Sequence, residues 1–111
     1  MNQWTTVCST NDLVPHTGIC AKVDQQQVAI FYCRRSEALY ALCNYDPIGQ
    51  AYVMSRGIMG SMEGQPCVAS PLYKQHFNLE TGQCIEEPSY QLKRFDVRVE
   101  GNDVQVKNLA A

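Results

Sequence analysis

The residues of this chain with the most chemical potential are its thiols and imidazoles. Cysteines stand at positions 8, 20, 33, 43, 67 and 84, and histidines at 16 and 76. Thiolate and imidazole are the ligands of zinc, copper and iron–sulfur centres. Cys43, Cys67 and His76 are the three that could assemble a metal site, although no C-x-x-C occurs. The plainer reading makes Cys67, in QPCVAS, a strand residue and His76 a surface or half-buried strand residue between Gln75 and Phe77. Cys33, in AIFYC, reads as core, because a free cysteine packs as a small hydrophobe. His16, beside Pro15, reads as a solvated loop residue. Ser70 has no histidine or lysine at a spacing that would activate it as a nucleophile. A G-x-G-x-x-G phosphate turn is also missing. No residue is therefore expected to be catalytic.

The bulk numbers bound the partners. The 111 residues carry 18% charged side chains of mixed sign and a net charge of −2. The densest cationic pairs are Arg34-Arg35 and Lys93-Arg94, so a footprint for nucleic acid or anionic lipid is not expected. The longest apolar runs, Val28 to Cys33 and Ala38 to Cys43, have six residues each, against roughly 18 for a bilayer span. The start, MNQWTTVCSTNDL, shows no cationic segment followed by an apolar one, and reduced thiols in a cytoplasm are the expectation. With 45% apolar residues, one domain over 1–111 is expected, with a core from about 4 to 106 and a frayed tail over 107–111.

The elements that would position these residues are strands. The two six-residue apolar runs flank Arg34-Arg35-Ser36-Glu37 and predict a hairpin. In FDVRVEGNDVQVKN, Val97, Val99, Val104 and Val106 alternate with polar neighbours around Glu100-Gly101-Asn102-Asp103, where Gly and Asn could supply positive φ. WTTVCST and TGICAKV are shorter strand candidates. Asn11 to Thr17 reads as loop. The stretch from Asn44 to Pro66, with four glycines and two prolines, reads as one long functional loop. The fold class is all-β: a small barrel or sandwich of short antiparallel strands with two projecting loops.

Those loops carry a resemblance. SPLYKQHFNLETG at positions 70–82, with Cys43-Asn44-Tyr45 before it and FDVRVEGNDVQV after it, resembles the Rieske [2Fe–2S] domain. That family presents Cys-x-His in one loop and Cys-Pro-x-His, then Gly, in the other. The resemblance places Cys43, Tyr45, Ser70 and Tyr73 at the ligand positions and Lys74 at the glycine. A Rieske centre needs two thiolates and two imidazoles. Hydroxyl and phenol oxygens are poor ligands for sulfide-bridged iron, so no cofactor or metal is expected here. Tyr45 and Tyr73 are expected to close the gap with their rings.

The ligand-free second loop, with NYDPIGQAYVMSRGIMG following the first, is similar to the small-subunit family of NAD(P)H-dependent assimilatory nitrite reductases. The resemblance implies a cytoplasmic, cofactor-free, non-catalytic subunit. Its large partner subunit would hold FAD, an iron–sulfur cluster and sirohaem, and reduce nitrite to ammonium. Candidate contacts with that partner are Asp46, Pro47, Arg56, Ile58, Met59, Tyr73 and Lys74. The alternative is a Rieske-type ferredoxin carrying electrons to an oxygenase or reductase.

Overall fold

The computed structural model describes residues 4–107. Eleven strands follow one another: β1 (Trp4–Ser9), β2 (Gly18–Val23), β3 (Gln26–Cys33), β4 (Ala38–Cys43), β5 (Tyr45–Asp46), β6 (Ala51–Tyr52), β7 (Ile58–Met62), β8 (Gln65–Ala69), β9 (His76–Asn78), β10 (Arg94–Glu100) and β11 (Asp103–Lys107). Six form an antiparallel sheet in the order β1-β11-β10-β4-β3-β2, which curls until β1 comes close to β2. The hairpin β5-β6 and the sheet β7-β8-β9 stand apart from it and carry the two loops.

Both predicted hairpins are present. Val28 pairs with Cys43 and Cys33 with Ala38, while Val97 pairs with Val106 and Glu100 with Asp103. In the second turn Gly101 alone takes positive φ, the geometry of a turn with glycine at its first central position. Three expectations need correction. Residues 44–66 are not one long loop, since β5, β6, β7 and a 3-10 turn at Met54–Arg56 lie within them. Thr10–Asp12 forms a single 3-10 turn capped by Ser9, whose hydroxyl accepts from the Asn11 N–H while Asp12 accepts from the Ser9 N–H. Lys107 belongs to β11, paired with Trp4 on one side and Asp96 on the other. Residues 108–111 of the expected tail lie outside the described residues.

The unbroken run Val28-Ala29-Ile30-Phe31 is buried throughout, because β3 is covered on both faces. Ala29 and Phe31 face a cluster with Leu42, Met54, Val68, Phe77 and Leu79. Val28 and Ile30 face a second cluster with Val23, Ala41, Phe95 and Val106. A strand covered on both sides loses the polar alternation of a half-exposed one. The first cluster glues the loop-bearing sheet to the curled sheet, which sets where the loops stand.

The turn after β9 depends on Gly82. Its φ is +84°, and a Cβ there would lie 2.2 Å from the Leu92 carbonyl oxygen. Left-handed backbone alone costs an ordinary residue ~1–2 kcal/mol. Gly82→Ala is expected to lower Tm by roughly 4–8 °C or more, taking about that shift per kcal/mol for a domain of this size. A calorimetric scan showing an unchanged Tm would contradict this account of the turn.

Candidate functional site

The two loops meet in a buried polar contact. Asp46 closes β5 and Ser70 follows β8, and both are fully buried. The Ser70 hydroxyl donates to Asp46 Oδ2 at 2.5 Å. Asp46 Oδ1 accepts from the backbone N–H groups of Ile48 and Gly49 at 2.8 and 3.0 Å. The carboxylate thus receives three hydrogen bonds, the arrangement that makes burial of a charged group tolerable. Aspartate bonding to backbone two and three residues ahead is a local turn device, and Pro47 presets the next residue. Gly49 permits the close approach. A Cβ on it would stand 2.5 Å from Leu72 Cδ1 and 2.8 Å from Asp46 Oδ2.

Asn44 anchors the first loop from behind. Its side chain donates to Gln27 Oε1 at 3.0 Å and to Cys20 Sγ at 3.5 Å, and accepts from the Ser55 N–H at 2.7 Å. Its backbone bonds Gln27 and Met54. One buried amide therefore ties β3, the first loop and the Met54–Arg56 turn together.

This geometry relocates the first-loop position. Ser70 is met across the gap by Asp46, three residues beyond Cys43. Cys43 is half-buried and packs against the second core cluster. Tyr45 spends its ring on Tyr52, at 4.9 Å between centroids and 61° between planes. Tyr73 is 64% exposed. The two tyrosines therefore do not close the gap; the carboxylate–hydroxyl pair and the Leu72–Gly49 packing do. Lys74, at the expected glycine position, keeps the left-handed backbone with φ +66°.

A [2Fe–2S] cluster does not fit these residues. The oxygens at the centre are hard, and they are already bonded to each other. Ile48, two residues beyond Asp46, has no ligand atom and packs against the first core cluster. Among the described residues no group of three or more His, Cys, Asp or Glu could hold a metal ion. That includes the combination of Cys43, Cys67 and His76. Cys67 is buried in β8, and burial pushes its thiol above the ordinary range, with Glu86 adding to the effect. His76 is half-buried in β9 and pairs through Nδ1 with Glu86 Oε2 at 2.5 Å. His16 is exposed. Cys33 is half-buried at the end of β3, short of the core position expected. Its thiol is held below the usual range by the Ser36 hydroxyl, then by backbone N–H groups and Arg35.

The partner candidates divide. Arg56, Ile58, Tyr73 and Lys74 are exposed and Pro47 is half-buried. Asp46 is excluded as a contact by its complete burial, and Met59 packs against the first core cluster. Tyr52 and Leu72, exposed at 57% and 45%, are further apolar residues at this tip. Asp-Pro-Ile-Gly is a turn signature and was the signal that could have revealed Asp46. Nothing in the local sequence marks Asn44 as an anchor.

Comparison with known proteins gives the fold its relatives. A family model described as a Rieske-like [2Fe–2S] domain matches residues 3–107. The chain is 41% identical over 107 residues to the nitrite reductase (NADH) small subunit of Salmonella typhimurium, spanning 96% of this chain and 99% of that one. It belongs to the nitrite reductase small-subunit family. A crystal structure described as a putative NADH-dependent nitrite reductase small subunit from Mycobacterium tuberculosis superposes with a TM-score of 0.94 at 35% identity, covering 100% and 99% of the two chains. A nitrite reductase [NAD(P)H] large subunit from Klebsiella oxytoca is 35% identical over 105 residues, which is 95% of this chain but 11% of that one.

Two measurements check the site. Ser70→Ala leaves Asp46 Oδ2 buried without its donor and is expected to cost about 1–3 kcal/mol. In a double-mutant cycle with Asp46→Ala the coupling should be about 0.5–3 kcal/mol, and urea curves giving purely additive losses would contradict the contact. The second concerns Glu86. Burial opposes its ionisation, but the His76 N–H at 2.7 Å and the His76 ring hold it below its ordinary 4.5. A carboxyl with a depressed folded pKa stabilises above the unfolded pKa, and that stability is lost as pH falls through the folded value. Glu86→Gln should therefore flatten the loss of stability below pH 4.5, read by denaturant midpoints across an acid series.

Proposed function

We propose that this chain is a cofactor-free, non-catalytic small subunit of a cytoplasmic NAD(P)H-dependent nitrite reductase, acting by binding the large subunit. In this reading the large subunit holds FAD, an iron–sulfur cluster and sirohaem, and carries nitrite to ammonium for nitrogen assimilation. The observation that carries the proposal is the Asp46–Ser70 pair inside a chain matched end to end by nitrite reductase small subunits. Where the Rieske family concentrates electron-transfer ligands, this chain has an internal clamp, so its use lies in its surface. The Klebsiella relative supports the choice of partner, because a large subunit there contains a homologous segment.

The proposed contact is the tip made by Pro47, Tyr52, Arg56, Ile58, Leu72, Tyr73 and Lys74. It combines exposed aromatic and aliphatic groups with two cations, the mixture found at interface cores and rims. Ile58, at the start of β7, is 68% exposed. With Tyr52, Leu72 and Tyr73 it makes a group of exposed apolar side chains, and such groups mark interaction sites where they form a patch.

The test is co-purification with the large subunit, with a visible spectrum taken of each component. The complex should show flavin and sirohaem absorption, and the small chain alone should be colourless. A brown chain with iron–sulfur absorption would overturn the cofactor-free reading. Replacing Ile58 and Tyr73, exposed at 68% and 64%, together by alanine should weaken binding tenfold or more. Tm should move little, since exposed positions change stability by about 0.5 kcal/mol or less.

A further inference from the structure

The strand β7 is an open edge. It pairs with β8 on one side, and among the described residues no strand lies against the other. Natural edge strands are blunted by charge, proline or bulges. Ile58-Met59-Gly60-Ser61-Met62 has no charge and no proline, and its five residues pair with β8 without a register shift. The edges of the six-stranded sheet and the far edge of β9 are covered: β1 and β2 lean towards each other, and β9 is bridged by Cys84 opposite Phe77.

The hairpin geometry identifies which backbone groups face outward. The two-residue turn Glu63-Gly64 makes Met62 and Gln65 the closing bonded pair, so bonded pairs recur at Gly60–Cys67 and Ile58–Ala69. Met59 and Ser61 then turn their N–H and C=O groups away from β8. Pro66, opposite Ser61, confirms the phase. It has no N–H to give, and its carbonyl accepts from the Leu79 N–H at 2.9 Å on the opposite side.

Gly60 sits between those two outward pairs, and the isolated chain gives it no reason to be glycine. Its φ is not positive. A Cβ there would meet nothing within 4 Å. Glycine within a strand is destabilising, and it often marks a place where another backbone or a ligand comes close. In front of it lies a groove of about 600 Å³ with Tyr40 and Met59 among its lining, bounded across the way by Cys33, Arg35 and Ser36.

We propose that the edge of β7 takes up an extended segment of the large subunit as an added strand, whose backbone passes closest over Gly60. This rests on the small-subunit reading above. The occupant is assigned by area and by continuity. A five-residue edge is ~17 Å long and with ~10 Å of side-chain height offers on the order of 170 Å². A stable pair of proteins needs about 800 Å² on each side, so pairing of two copies along β7 would not hold by itself. The large subunit can meet the edge as part of a wider contact, because β7 begins at Ile58 in the tip and runs from there into the groove. Arg35 and Glu80 place opposite charges on the groove lining. Selection therefore comes from main-chain pairing and from apolar side chains set against Tyr40 and Met59.

The experiment compares full-length wild-type chain, Gly60→Val and Ser61→Pro for binding to purified large subunit by biolayer interferometry, with Tm measured on each free chain. Gly60→Val should keep or raise Tm while weakening binding at least tenfold, and Ser61→Pro should weaken binding similarly by removing an outward N–H. In wild type, the Met59 and Ser61 amides should exchange at least tenfold more slowly in the complex, a readout independent of either variant. Wild-type affinity in Gly60→Val, or unchanged exchange at both amides, would overturn the strand-addition proposal and leave the subunit reading standing. Failure of wild-type chain to bind the large subunit would overturn both. A concentration-dependent dimer of the free chain that Gly60→Val abolishes would assign the edge to a second copy, and so overturn the proposed occupant.

Discussion

A carboxylate placed in the interior must be surrounded by donors, and this requirement organises the end of the molecule that carries the loops. Asp46 meets it with two backbone N–H groups from its own turn and one hydroxyl from the opposite loop. The first two fix the turn, and the third fixes the turn relative to the other sheet. Because Asp46 and Ser70 are both buried, water cannot replace the hydroxyl at low cost. Gly49 and Leu72 come together at the same closure, and Tyr73 and Lys74 follow Leu72 in the chain. A hydrogen bond does here the mechanical work of joining two loops that a cluster does in Rieske proteins with the full ligand set.

The clamp acts against a firm background. Strands β3 and β4 form a wall with apolar packing on both sides, so displacement of the loop-bearing sheet would open one core cluster without relieving the other. Asn44 adds a directional tie at the foot of the first loop. Together these features turn a surface that would otherwise be two independent loops into one preorganised face. Preorganisation lowers the ordering cost of association, which is what the proposed binding role requires.

The strands were readable in the sequence wherever one physical signal dominated. Alternating valines and a glycine-bearing turn located the last hairpin, and two dense apolar runs located the central one. The long middle segment was misread because glycine and proline are ambiguous. They mark loops, but they also mark tight hairpins and edge strands, and β7 contains glycine for a reason that lies outside the isolated fold. The chemistry was legible in part. Ser70 and Tyr73 were found through the second loop, where the local pattern is long. The first loop offered a cysteine, and Cys43 drew attention that belonged to Asp46. Which way Cys43 points depends on the strand pairing of β3 and β4, a long-range fact that short motifs do not contain. The burial of Asp46 and the partial burial of Met59 against the core are equally matters of tertiary packing.

The pairing of β1 with β11 has a consequence for synthesis. Trp4 lies beside Lys107 and Ser9 beside Asp103, so β1 must wait for β11, about a hundred residues later, before it can pair. At ~5–20 residues per second that wait is on the order of 5–20 s. Throughout it the β3-β4 hairpin can form, but the curled sheet stays open and one of its edges is unprotected. The nascent chain therefore spends its most aggregation-prone interval before the second core cluster is complete, since Val106 arrives from β11. That interval ends when β11 becomes available to pair with β1 and β10 in one step.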